Sequence, residues 1–191
     1  MNDVTREQAW ALLCEYTQGE SLRKHGLAVE TVMRAFARRD GADEDRWGIT
    51  GLLHDFDYER WPQVPDHPLR GGEILKERAF PEDIRRAILG HANHTGVPRD
   101  TPMARALYSV DELSGFVTAV ALVRPSRSIH EVEVSSVKKK LKDKAFARGV
   151  NREEVAQGIL ELGVDADAHI QFVIEALRGN AEGLGLAGTA R

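Results

Sequence analysis

Apolar residues in this chain recur at intervals of three and four from one end to the other, and no stretch alternates in the two-residue rhythm of a half-buried strand. That periodicity restricts the fold to helices packed on helices. At 191 residues the chain is long enough to bury a core without disulfides or a structural metal. The expected fold class is therefore all-α, a single helical bundle over residues 1–178. Residues 179–191, with four glycines and little bulk, are expected to be a frayed tail.

The helices can be placed by their stripes and their ends. Residues 5–17 form one, with Trp10, Leu13 and Tyr16 inward, and Gly19 breaks it. Ser21 is placed to cap a second, running to about Arg39, where Leu22, His25, Val29, Val32 and Phe36 share a stripe that turns His25 toward the core. After a turn at Asp40-Gly41-Ala42-Asp43, a short helix from about Glu44 puts Trp47, Gly51 and His54 on one face, with Gly48 and Gly51 permitting close packing. Residues 57–66 hold two prolines, Trp61 and several acids and are expected to be a loop; Trp61 is expected to pack it down. Asp66-His67-Pro68 starts the next helix, with Gly71-Gly72 as another close approach. Pro81 opens a helix in which Ile84, Ile88 and His91 lie at i, i+4 and i+7, so His91 faces inward at its C-terminal end. Thr101-Pro102 starts a long apolar helix with Asp111 on its inner face, ended by Arg124-Pro125-Ser126. A helix over 131–147, one from Asn151 to Leu162 and one capped by Asp165 complete the expected set.

Composition removes several function classes. With 26 Lys and Arg against 30 Asp and Glu, no global field recruits nucleic acid or an anionic membrane. Cys14 is the sole cysteine, which leaves His and carboxylates as metal ligands and fits a reducing compartment. The first residues lack a basic head followed by an apolar block, and the longest apolar run, Phe116 to Val123, is too short to span a bilayer. The expected location is the cytoplasm.

What stands out is the number of polar residues that the helical stripes turn inward. His25, the adjacent pair His54-Asp55, His91 and Asp111 come from at least four helices, and His67 joins them if its helix start faces in. A helix satisfies its own backbone, so buried polar side chains are costly unless something pairs them. A lone inward His is ordinarily a hydrogen-bonded core residue, and a lone mid-helix Asp is ordinarily the partner of an Arg. Their conjunction points instead to a divalent ion, which needs several lone pairs on short, stiff side chains.

The order His25, His54-Asp55, Asp111 resembles the HD superfamily of metal-dependent phosphohydrolases, over roughly residues 20–125. With His67 and His91 inserted, the order is similar to the dinuclear branch of that superfamily. Asp66-His67-Pro68-Leu69-Arg70-Gly71-Gly72 resembles its His-Pro-x-x-Gly stretch, and His91 follows His67 after 24 residues. Ser109-Val110-Asp111-Glu112-Leu113, Arg124-Pro125-Ser126 and Ser136-Val137-Lys138-Lys139-Lys140 resemble a small group of uncharacterised predicted HD hydrolases of about this length. Departures from the pattern are also present. Gly96-Val97-Pro98 stands where cyclic-dinucleotide phosphodiesterases have Gly-Tyr-Pro, and Tyr58 stands where they tend to have Lys.

The resemblance implies an all-α HD-type domain, with ligand core 20–125 and C-terminal helices over 130–178. His25, His54, Asp55 and Asp111 would ligate a first ion; His67 and His91 would complete a second site, with Asp55 bridging. Such ligation suits one or two ions of Mn, Fe, Co, Ni or Zn better than Mg. Asp55 and Asp57 are the candidate acids at the reacting water, and His94 is the candidate proton donor to the leaving oxygen. Arg124, Lys139 and Lys140 are candidate phosphate-binding cations, although a lysine run is by default a solvated helix face. The substrate class is a small phosphorylated, nucleotide-like molecule, with no nucleic acid or membrane partner. The same six ligands also resemble those of HD-type dinuclear iron oxygenases, and a non-catalytic nucleotide or metal sensor is the third reading.

Overall fold

A computed structural model describes residues 4–188. These residues are helical and, apart from one isolated bridge between Ser128 and Ala187, contain no strand pairing. The chain packs as two compact units, Met1–Tyr108 and Ser109–Arg191, where the sequence reading has one domain.

The first unit contains α1 (Arg6–Tyr16), α2 (Glu20–Asp40), α3 (Glu44–Leu53), α4 (Asp66–Glu77) and α5 (Glu82–Gly90), followed by a 3-10 turn, Asn93–Thr95, and the start of α6 (Pro102–Leu122). Thr5 caps α1 through a reciprocal capping box with Gln8, a pairing the expected start at residue 5 did not include. The buried face of α1 is Ala9, Leu12 and Leu13; Trp10 and Tyr16, expected inward, are only half-buried. Ser21 does not cap α2. Gly19 holds that position without a side-chain cap, and Glu59 of the later loop accepts from the N–H groups of Gln18 and Gly19 instead.

The α2–α3 pair is the spine of this unit, with α1 and α5 against α3 and α4 beside α5. Val29, Val32, Met33 and Phe36 of α2 and Ile49, Leu52 and Leu53 of α3 are almost fully buried, as are Leu75, Ile84 and Ile88 from α4 and α5. Each such side chain contributes about 1.5–3 kcal/mol of transfer free energy. The crossing is unusually close because two glycines meet the opposing backbone. A Cβ on Gly26 would stand 2.9 Å from Leu52 O, and one on Gly51 would stand 2.9 Å from Val29 O. Both separations are shorter than real Cβ contacts, so only hydrogen fits there.

The second unit contains the rest of α6, a 3-10 turn at Ile129–Glu131, α7 (Val134–Leu141), α8 (Arg152–Leu162) and α9 (Ala166–Arg178). The expected helix over 131–147 is shorter than the apolar spacing implies. Past Leu141 the backbone turns, because the Arg152 guanidinium takes the carbonyls of Asp143, Phe146, Ala147 and Val150, which a helix would have used itself. Ala145, in this turn, is exposed. Asn151 and Asp165 cap α8 and α9 as read, but the Asn151 N–H donates to Glu112 at 3.1 Å. The end of the chain also differs from expectation over its described residues. Ala181, Leu184 and Leu186 are buried, and Leu186 O accepts from Ile129 N at 2.8 Å, so this segment is packed rather than frayed.

Candidate metal centre

Two histidines occupy equivalent places at helix ends. His54 follows the last residue of α3 and His91 the last residue of α5. The final carbonyls of a helix lack intrahelical donors. Here the imidazole Nδ1 of His54 meets Gly51 O at 2.8 Å, and Nδ1 of His91 meets Ile88 O, in each case the carbonyl three residues back. A carbonyl only accepts, so Nδ1 carries a proton in both rings and Nε2 is the nitrogen left to face the other ligands. Both rings are buried.

His67 is oriented from a different direction. It lies at a kink near the start of α4, with non-helical φ −79° and ψ 135°. Its Nδ1 donates to Asp57 Oδ1 at 2.8 Å, and the other oxygen of Asp57 accepts the Gly71 N–H at 2.8 Å. Asp57 is fully buried with an oxygen committed to each partner. It therefore orients His67, with one oxygen on the imidazole and the other on the Gly71 N–H. Gly71 explains the glycine of the His-Pro-x-x-Gly stretch: a Cβ there would lie 2.9 Å from the Asp57 carboxyl carbon.

His25 precedes Gly26, so the close α2–α3 crossing carries its ring to the end of α3. His25 Nε2 lies 3.1 Å from His54 Nε2. On the other side, His67 Nε2 lies 3.3 Å from His91 Nε2. Asp55 stands between these two pairs, half-buried. Its Oδ2 is 3.8 Å from His25 Nε2 and 3.5 Å from His54 Nε2, whereas its Oδ1 is 3.2 Å from His67 Nε2 and 3.3 Å from His91 Nε2. Each carboxylate oxygen thus faces its own pair of imidazoles.

The donor chemistry fits metal ions. Asp55 Oδ1 and the Nε2 atoms of His67 and His91 form a nearly equilateral triangle with edges of 3.2, 3.3 and 3.3 Å. In their neutral tautomers these three atoms are all acceptors, an arrangement that repels itself unless a cation or a proton sits among them. Ligand–ligand edges of about 3.4 Å are those of a tetrahedral set at about 2.1 Å from a Zn-sized ion. His25, His54 and Asp55 also offer ligand atoms within 4.8 Å of one another. Without an ion, a proton takes the place. Burial works against charging His67, but its hydrogen bonds to Asp55 and Asp57 raise it to about 9. Burial likewise works to raise Asp55, but His54, His67 and His91 hold it well below the usual carboxylate range.

The remaining expected site residues lie as follows. His94 is exposed on the 3-10 turn three residues beyond His91. Asp111 is half-buried on α6 in the second unit. Arg124, Lys139 and Lys140 belong to that unit too. The expected loop 57–66 is anchored at its base by Glu59, and Trp61 packs against Tyr16, ring centroids 6.1 Å apart. Tyr58 stands edge-on to His67 at 5.1 Å.

Residues 22–115 match the family model described as HD domain. No curated protein and no solved structure matches the chain. Among the described residues no helix is long and apolar enough to cross a membrane.

Proposed function

Residues 22–115 being an HD domain, a domain of metal-dependent hydrolases, we propose that the chain hydrolyses a phosphate ester on a small, nucleotide-like molecule. The observation that supports this most is the placement of Asp55, with one oxygen toward His25 and His54 and the other toward His67 and His91. In this reading His25, His54, Asp55 and Asp111 hold one divalent ion and Asp55, His67 and His91 a second. The donor set suits Mn, Fe, Co, Ni or Zn. Such ions lower the pKa of bound water toward neutrality and offset the charge that develops on phosphoryl oxygens.

The chain's own part is to hold these ligands rigidly and to manage protons. Gly51 O and Ile88 O hold the Nδ1–H of His54 and His91, and Asp57 holds that of His67, so each Nε2 is the nitrogen turned toward a cation. Asp55 stays ionised across the physiological range because His54, His67 and His91 hold its pKa down against the effect of burial. His94, exposed beside the site's C-terminal helix end, is the proposed donor of a proton to the leaving oxygen.

The experiment is metal content by mass spectrometry, with turnover of a phosphorylated panel under several metals. Bound transition metal and loss of turnover in His54→Ala are the expected results. Absence of bound metal together with unchanged turnover in that variant sinks the reading. Turnover that requires O2 on a non-phosphorylated substrate would instead assign the same ligands to dinuclear iron oxygenase chemistry.

A further inference from the structure

The second unit holds a guanidinium that no carboxylate neutralises among the described residues. Arg124 follows the last turn of α6 and is half-buried. Its Nη2 donates to Ser136 Oγ at 2.7 Å, and its Nε is buried with no hydrogen-bond partner. Arg152 offers the contrast: its Nε is also unpartnered, but its other nitrogens close on four backbone carbonyls, which makes it a clamp for the turn after α7. Arg124 has no such occupation. A buried N–H on a cation is costly when unmet, so its persistence calls for an acceptor.

The groups around it are donors as well. Ser136 Oγ accepts from Arg124, which leaves its own O–H free to donate. Lys139 and Lys140 lie at i+3 and i+4 from Ser136 on α7, the spacing that places side chains on one helix face. Lys139 is exposed, and Lys140 Nζ rests 4.6 Å from the Phe146 ring and 3.6 Å from Asp143 Oδ2. Residues 124–152 carry nine Lys and Arg against three Asp and Glu, in a chain whose net charge is −4. The local field is therefore positive although the chain's is not. Separate N–H, O–H and ammonium donors match an oxyanion with several acceptor oxygens better than the two coplanar oxygens of a carboxylate.

We infer that Arg124, Ser136, Lys139 and Lys140 form a phosphate-binding site in the second unit. The choice of phosphate among oxyanions rests on the phosphohydrolase reading, whereas the binding itself does not depend on bound metal. The ligand is a phosphoryl group, carried by the substrate or free in solution.

The test uses the full chain stripped of metal, titrated with inorganic phosphate and followed by the side-chain Nε–H resonances of its arginines and by calorimetry. Saturable binding with a shift of the Arg124 Nε–H signal is expected, weakened tenfold or more in Arg124→Gln, several-fold in Ser136→Ala, and less in Arg124→Lys than in Arg124→Gln. Ser136→Ala removes one oxygen at the surface of α7 and keeps the test informative if Arg124→Gln does not fold. No saturable shift, or wild-type affinity in both Arg124→Gln and Ser136→Ala, overturns the site. A nucleoside monophosphate that displaces phosphate from Arg124 assigns the site to a substrate's phosphoryl group, and simultaneous binding of both assigns it to free phosphate. Failure of the metal centre would leave this titration unchanged, so the two proposals fall separately.

Discussion

Asp57 accepts the Nδ1–H of His67 at 2.8 Å with one oxygen while its other oxygen accepts the Gly71 N–H. The carboxylate therefore joins the turn after α3 to the first turns of α4, and it sets which nitrogen of His67 faces Asp55. An asparagine at this position has one acceptor and one donor. Turned either way, its NH2 confronts an N–H, from His67 or from Gly71. Asp57→Asn is expected to lower affinity for the second ion by about 10–100-fold, the usual cost of losing a partner that orients a metal-bound His. The proposed ion at His25 and His54 should keep its affinity. Calorimetric titration of the stripped protein would show the second binding step weakened alone; equal weakening of both steps would mean that Asp57 acts on the whole fold.

Gly71→Ala tests the same arrangement from the backbone. The added Cβ would stand 2.9 Å from the Asp57 carboxyl carbon and 3.1 Å from Phe56, and neither is the free end of a flexible chain. Overpacking of this kind costs about 1–3 kcal/mol. The expected outcome is a lower urea midpoint together with loss of the second ion, measured by denaturation and metal content on one preparation. Stability reduced with metal content intact would separate Gly71 from the site.

The crossing of α2 and α3 has its own consequence for the first pair of imidazoles. Gly26 sits beside His25 and Gly51 lies three residues before His54, so the same contact that packs the helices sets the 3.1 Å between the two Nε2 atoms. Gly26→Ala would bring a Cβ to 2.9 Å from Leu52 O, a backbone atom that cannot rotate away. Separation of the helices should destabilise the protein by about 1–3 kcal/mol and weaken the ion at His25 and His54 more than the one at His67 and His91. Metal titration of the variant at a denaturant concentration well below its midpoint would read the order of loss, and the reverse order would contradict it.

The helical class was legible because a spacing of three and four leaves no room for strands, and the described residues form none beyond one bridge. The inward stripe through Val29, Val32 and Phe36 was equally plain, since burial on one face of a long helix is what periodicity reports. What lay beyond reach were contacts made across the chain. Asp57 looked like an acid beside a water because it follows Asp55 closely, and only the fold shows both its oxygens taken by residues 10 and 14 positions away. The helix expected through residue 147 failed for the same reason: Arg152 diverts four carbonyls, and nothing in the local pattern announces a guanidinium arriving from the next helix. Ser21 gave a good local cap signal, but Glu59, 40 residues from Gly19, meets the N–H groups there.

Proton competition supplies a prediction with a definite sign. In the metal-free protein His67 titrates at about 9, raised from 6.5 against the pull of burial by its bonds to Asp55 and Asp57. Because the folded value lies above the unfolded one, the stabilisation from charged His67 is complete below about pH 6.5 and is lost as pH rises through 9. The stripped protein should therefore become less stable between pH 7 and 9.5, and His67→Gln should remove that slope. A metal ion needs the same nitrogen unprotonated, so the holo protein behaves oppositely. Affinity at the second site should rise about tenfold per pH unit below 9 and level off above it, with about one proton released per ion bound near neutrality. Calorimetry in buffers of different ionisation enthalpy counts that proton directly. An affinity independent of pH between 7 and 9, with no proton released, would show that His67 does not ligate the ion.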